Sequence, residues 1–218
     1  NGSDAMSKIQ LTTLTEEKVL DKDAELQIKI TFDENKHKLE IEDSGCGMTK
    51  EELVSNLGTI ANSGTLKFLQ QAQAENKSAE NLIGQFGVGF YSVFMVAESV
   101  ELTTRSWQVD SQAWQWNSSG GGQYEITPAK YNQRGTRVTI FLKEDAKDFC
   151  SKWKLESIIK KYSNYLPFPV KVNDQTVNQV KAIWTQSKSD VKEDQYKEFF
   201  KQISHSTQDP LHYMHFSI

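Results

Sequence analysis

The sequence has little that would lock it chemically. Two cysteines, Cys46 and Cys150, stand among 218 residues, too few for a disulfide framework or a cysteine zinc site, and they fit a reducing, cytoplasmic setting. No apolar run approaches the roughly 18 residues that span a bilayer. The net charge is -4 with no block of like charges, which leaves neither a nucleic-acid footprint nor a basic face for a membrane. A targeting segment, an initiating Met, internal repeats and low-complexity tracts longer than Gly120-Gly121-Gly122 are all missing. The first residues read as a pattern already under way, as if cut inside a helix. The glycosylation sequons at Asn1, Asn76 and Asn117 are too short to carry weight.

What is present suffices for a core: 37% hydrophobic and 11% aromatic residues suit one sizeable domain, or one domain plus part of another. Ala5, Met6 and Ile9 stand at helix-compatible spacing, and a short strand is expected at 9–14. The alternation of Leu26, Ile28, Ile30 and Phe32, then Leu39 and Ile41, predicts a hairpin with one buried face. Residues 49–64 predict an amphipathic helix with Leu53, Leu57 and Ile60 on one stripe, opened by a Thr49/Glu52 capping box and stopped at Ser63-Gly64. The next stretch begins helical and turns polar, a mobile excursion. After it, a glycine-rich turn leads into an apolar helix and a strand, and further strands are expected at 113–119, 123–130 and 134–144. Residues 152–166 predict another helix, ended by Pro167 and Pro169 and followed by a strand at 169–172. Residues 173–180 read as a linker, and 189–204 as the start of something new. Helices grouped between hairpin-joined strands predict an α+β fold: a two-layer sandwich, its sheet mostly antiparallel, its helices on one face.

Two stretches carry chemistry. "DSGCGMTKEEL" at 43–53 ends a strand on a carboxylate and adds Gly45 and Gly47 before a helix. A plain turn and cap account for it. An acceptor-only Asp43 also suits an exocyclic amine such as adenine N6, in a charge-assisted bond worth roughly 1.5–3 kcal/mol. Gly45 and Gly47 would let a planar ring approach the backbone, with Met48 against its face, although a methionine there is more often ordinary core. "GQFGVGF" at 84–90 sets glycines 84, 87 and 89 before apolar residues, so that backbone N–H groups and a helix dipole would face an anion. Its spacing matches neither a Rossmann nor a Walker loop, and packing or flexibility is the plainer role. Asn1 and Asp4, three apart on one helical face, suit oxygen ligation of magnesium beside phosphate, or serve as a cap and a dipole-complementing acid. His37, His205, His212 and His215 sit among polar residues and read as solvated.

Taken in order, "NGSDAMSKI", "IEDSGCGMTKEELVSNLGTIANSGT", "LIGQFGVGFYSVFMVAESV" and "RGTRVTIFLKE" resemble the ATP-site motifs of the gyrase, heat-shock-protein-90, histidine-kinase and MutL superfamily. "LGTIANSGT", "IGQFGVGFYS" and "AIWTQSKSDVKEDQYKEFFKQISHSTQDPL" are most similar to the heat-shock-protein-90 chaperones, in particular the bacterial member. The resemblance covers nearly the whole chain. It implies an ATP-dependent chaperone that binds ATP or ADP with Mg2+ in a pocket over the sheet. Residues 1–172 would form the nucleotide domain, 173–180 a linker and 181–218 the start of a middle domain.

The family's roles carry over by position. Asn1 matches the asparagine that holds magnesium and phosphate, and Asp4 lies on the same helix. Asp43 matches the adenine-reading aspartate, helped by Thr136 through water, with Gly47 and Met48 bordering the base. Asn56 lies near the ribose and phosphates, and Gly87, Val88, Gly89 and Phe90 supply the phosphate-cradling backbone. Residues from about 59 to 84 match a lid that closes as the N-terminal domains of a homodimer meet. The resemblance also implies client proteins as partners, a cytoplasmic location, and no nucleic acid or membrane.

The departures are specific. The family's general-base glutamate falls upstream of Asn1 and its middle-domain arginine beyond Ile218, so hydrolysis by these residues alone is expected to be weak or absent. Asn62 stands where a phosphate-contacting lysine is common, which should weaken affinity. Gly2 replaces a usual alanine at a helical cost of roughly 1 kcal/mol. "WTQS" differs from the more common "WTRN". Another ATPase of the superfamily, of MutL or histidine-kinase type, and a nonhydrolysing interaction domain remain the alternatives.

Overall fold

The alternating stretch becomes a hairpin, β1 Ile28–Asp33 and β2 Lys38–Asp43, because every second side chain meets the same apolar layer. The computed structural model describes residues 1–58, 83–84, 88–180, 182–204 and 206–216. Its other strands are β3 Ala97–Arg105, β4 Ala113–Ser118, β5 Glu125–Ala129, β6 Gly135–Leu142, β7 Val170–Val172 and β8 Gln175–Thr176. They form one eight-stranded sheet in the order β5-β4-β3-β6-β2-β1-β7-β8. The β1–β7 pair is parallel and every other pair antiparallel.

Register aligns the apolar residues on one face. Ile30 lies opposite Ile41 and Val172, Ile140 opposite Leu39 and Val100, and Leu102 opposite Trp116. Glu40, Glu42, Glu101 and Arg137 alternate to the other face. Three helices cover the apolar side: α1 Gly2–Thr15, α2 Lys50–Leu57 and α3 Lys152–Tyr162. Leu53, Leu57, Leu155 and Ile159 join the strand residues in one core, while α1 buries Met6 and Ile9. The architecture is thus the expected α+β two-layer sandwich. The Thr49/Glu52 capping box is formed in both directions.

Several local expectations fail for physical reasons. Residues 9–14 continue α1 instead of forming a strand. Their threonines suit extended chain, but Thr12, Thr13 and Thr15 donate back to the carbonyls of Lys8, Gln10 and Thr12, and Ile9 is buried on the helical face. The apolar helix after the glycines is a 3₁₀ helix, Phe90–Met95. β3 starts two residues later, and Phe90 and Phe94 are committed to Trp116. α2 ends at Leu57 with Gly58 as its cap, and Ile60, Ser63 and Gly64 lie outside the described residues.

The stretch read as a linker opens as part of the sheet. Asn173 and Asp174 have φ of 46° and 64°, the left-handed pair of a tight hairpin, and they lead straight into β8. Asn178, buried, accepts the Val170 N–H at 2.7 Å and donates to the carbonyls of Phe168 and Leu166 at 2.9 and 3.3 Å. Beyond it, α4 Glu193–Ser204 lies near a 3₁₀ turn at Ile183–Thr185; Tyr165 meets Trp184 and Phe199 edge to face, and those two rings are tilted against each other. His215 is not simply solvated, since its Nδ1 lies 2.6 Å from the Tyr196 hydroxyl; His212 is exposed, His37 half-buried, and His205 lies outside the described residues. No helix among the described residues is long and apolar enough to cross a membrane.

Candidate functional site

β2 turns Leu39, Ile41 and Asp43 toward the helices, so its last inward position is a carboxylate. Thr136 lies opposite Asp43, and Thr104 opposite Thr136, and the apolar row of the core therefore ends in three polar residues. The hydroxyls of Thr104 and Thr136 are 3.0 Å apart, and Thr104 Oγ1 also accepts the Met48 N–H and donates to the Gly135 carbonyl, both at 3.0 Å. The Gly45 N–H donates to Asp43 Oδ1 at 2.9 Å. Burial pushes the Asp43 carboxyl up to about 6, against the opposing pull of the Gly45 N–H. This is an acceptor in a low-dielectric place. Its other oxygen faces Gly2, where a Cβ would stand 3.5 Å away and 3.1 Å from the Asp43 Cβ. The glycine that weakens α1 thus gives the acid room.

Gly45 and Gly47 do something other than admit a ring at their bare faces. A Cβ on Gly45 would fall 2.5 Å from that of Ala5, and one on Gly47, at φ +60°, 1.7 Å from the Arg105 carbonyl oxygen. Both glycines let protein approach protein, α1 on one side and the end of β3 on the other. Met48 is half-buried against the core, with its sulfur 3.7 Å from Asn56 Nδ2.

The helix that lies on Asp43 also reaches the second motif. Asp4, buried in the first turn of α1, accepts the N–H groups of Ile83 and Gly84 at 2.9 and 2.7 Å. Its carboxylate is committed to backbone, and the Gly84 N–H expected to face an anion is occupied. Val88 and Gly89 are exposed and Phe90 half-buried. The short 3₁₀ helix behind them carries little dipole, and Lys143 Nζ caps its far end at the carbonyls of Phe94 and Met95, 2.9 and 3.3 Å away. Tyr91 donates to the Leu57 carbonyl at 2.9 Å, so this segment sits in the same layer as α2. Gly87, Asn62 and, except for Ile83 and Gly84, the stretch 59–84 lie outside the described residues.

Asn1 is exposed at the N-cap of α1, and its side chain makes no capping bond. Among the described residues no cluster of three or more His, Cys, Asp or Glu side chains could hold a metal. A lone amide oxygen fits magnesium that takes its other ligands from phosphate and water, the usual arrangement at nucleotide sites. A cavity of about 740 Å³ is lined by Asp21, Glu25, Lys29, Glu42, Ser44, Arg134 and Arg137.

Two residues escaped the sequence reading. Thr104 carried a signal, as the third inward position of Val100, Leu102 and Thr104, where an apolar residue was due. Arg134 carried none. It is 2% exposed, and its guanidinium donates to the Ser44 carbonyl and, at 3.0 Å, to that of Gly45.

Residues 20–139 match the family model described as histidine kinase-, DNA gyrase B-, and HSP90-like ATPase, and residues 171–218 match the Hsp90 protein model. The chaperone protein HtpG of Desulfitobacterium hafniense (strain Y51) is 47% identical over 218 residues, covering 100% of this chain and 36% of that protein. That of Chlorobium chlorochromatii (strain CaD3) is 46% identical, with 100% and 35% covered, and that of Wolinella succinogenes 46%, with 100% and 37%. The chain spans about a third of the length of these relatives.

Proposed function

The chain belongs to the histidine kinase-, DNA gyrase B- and HSP90-like ATPases, and among them to the Hsp90 proteins, and from that premise we propose that it is the nucleotide-binding part of an ATP-dependent chaperone. One observation carries the reading: a half-buried carboxylate closes the inward row of β2, and the helix packed on it also grips the glycine-rich segment through Asp4. Asp43 accepts the adenine amine, Thr136 helps through water, and Gly47 and Met48 border the base. Asn56 lies toward the ribose and phosphates. The backbone of residues 87–90, with Asn62 nearby, receives the phosphates. Asn1 would hold magnesium, which when bound neutralises phosphate charge.

In the intact protein this site hydrolyses ATP, a lid at about 59–84 closes over it, two N-terminal domains meet in a homodimer, and unfolded clients are the partners, all in the cytoplasm. The 218 residues alone turn over weakly or not at all, because the family's general-base glutamate and middle-domain arginine fall outside them. Neither nucleic acid nor membrane takes part. Calorimetric titration of the chain with ADP and Mg2+ tests the reading. Saturable binding that Asp43→Asn weakens by roughly tenfold or more, as loss of a charge-assisted bond requires, supports it. An Asp43→Asn chain that binds ADP like its parent sinks it.

A further inference from the structure

A buried arginine beside this site has no assigned task. Arg134 immediately precedes β6, and it spends its guanidinium on backbone: Nη1 donates to Ser44 O and, at 3.0 Å, to Gly45 O, and Nη2 reaches Asp21 O at 3.4 Å. Burying a cation against carbonyl dipoles is a costly way to gain stability, and such groups are better understood as fixing one geometry. The geometry fixed here can be traced bond by bond.

Ser44 O and the Gly45 N–H belong to one peptide unit, which is planar, so its oxygen and its hydrogen point in opposite directions. Arg134 holds the oxygen, and the hydrogen is donated to Asp43 Oδ1 at 2.9 Å. A cation on the oxygen also polarises the unit and strengthens the bond that its N–H makes to the carboxylate. The turn cannot swing away sideways. Ser44 Oγ donates to Glu25 O and accepts the Gln27 N–H, both at 2.9 Å, and Gly135, at φ +118°, brings β6 so close that a Cβ there would lie 2.2 Å from Asp43 O. Arg134 itself is anchored by its N–H to Asp21 Oδ2 at 3.2 Å.

We infer that Arg134 is the positioning residue for adenine selection: through the Ser44–Gly45 peptide it aims the Asp43 carboxylate at the base. The inference rests on Asp43 reading the exocyclic amine, as proposed above. A lysine at 134 keeps the charge but not the fork across two carbonyls, and a glutamine keeps a single donating nitrogen without the charge.

The test is selectivity. Binding of ADP and of inosine diphosphate, which has an oxygen in place of the amine, is measured calorimetrically for the parent, Arg134→Lys and Arg134→Gln, with thermal unfolding of each. The parent is expected to prefer ADP, and both variants to lose roughly tenfold in ADP affinity with little change for inosine diphosphate, so that the ratio of the two collapses. Equal losses for both nucleotides, or a ratio within about twofold of the parent's, overturn the inference. Failure of both variants to fold also overturns it, since Arg134 would then be a structural residue. A parent without preference for ADP overturns the reading of Asp43 and this inference together.

Discussion

Asp43 answers two opposed demands. To read an amine it must be ionised and shielded from water, and shielding is what raises its carboxyl from 3.8 to about 6. A group that holds its proton more tightly folded than unfolded stabilises the fold most below its unfolded pKa. That contribution fades as pH rises through the folded pKa and is absent above it. The ionised acid therefore burdens the nucleotide-free chain at pH 7. Asp43→Asn should unfold at higher urea than the parent at pH 7 and approach it near pH 4, while binding ADP far more weakly. A stability difference between the two chains that stays constant from pH 4 to 7 would contradict this. Gly47 makes the opposite case. With φ +60° and the Arg105 carbonyl 1.7 Å from any Cβ, Gly47→Ala should cost about 2–4 kcal/mol in denaturant melts. Asp43 was legible because it ends a strand's own alternation. The partners of Gly45 and Gly47, Ala5 and Arg105, come from distant parts of the chain, and so the packing contacts on their Cβ sides were not legible.

Among the elements, those closed by neighbours in sequence were readable and those decided by distant contacts were not. The Thr49/Glu52 box sets the start of α2 within four residues, and Thr49→Ala should cost about 1 kcal/mol. The same logic fails at 90–95. The apolar run there has helical composition, but the nearness of β3 and the pull of Trp116 on Phe90 and Phe94 leave it a 3₁₀ helix. Between these two elements, Thr104 ties the turn after Asp43 to the sheet by accepting the Met48 N–H. Thr104→Val preserves shape and strand preference but leaves that buried donor, and the Thr136 hydroxyl, without their partner. The expected loss is about 1–3 kcal/mol by chemical denaturation, with ADP affinity falling more than the fold's survival alone would explain. A Thr104→Val chain as stable as the parent would mean that water replaces the hydroxyl.

For the molecule as a whole, the β1–β2, β3–β4, β4–β5 and β7–β8 pairs follow from hairpins that local sequence specifies, whereas the antiparallel pairings of β6 with β2 and β3 and the parallel pairing of β1 with β7 join segments far apart in the chain. A boundary at 172, with 173–180 as linker, would cut between β7 and β8 and strip Asn178 from the three backbone groups it serves. Polar composition made the stretch look like a linker. The buried amide is what holds the last strand down. Its loss exposes two carbonyls and one N–H of the β7 approach, which packs against β1 and hence lies one strand away from the β2 that ends in Asp43. Asn178→Ala should therefore lower global stability by about 2–3 kcal/mol and speed amide exchange across 166–176 before it affects β3 or β4. If the variant instead melts like the parent with exchange changed only beyond residue 180, then β8 and Asn178 belong energetically with the segment that carries α4, and 172 is the true edge of the domain.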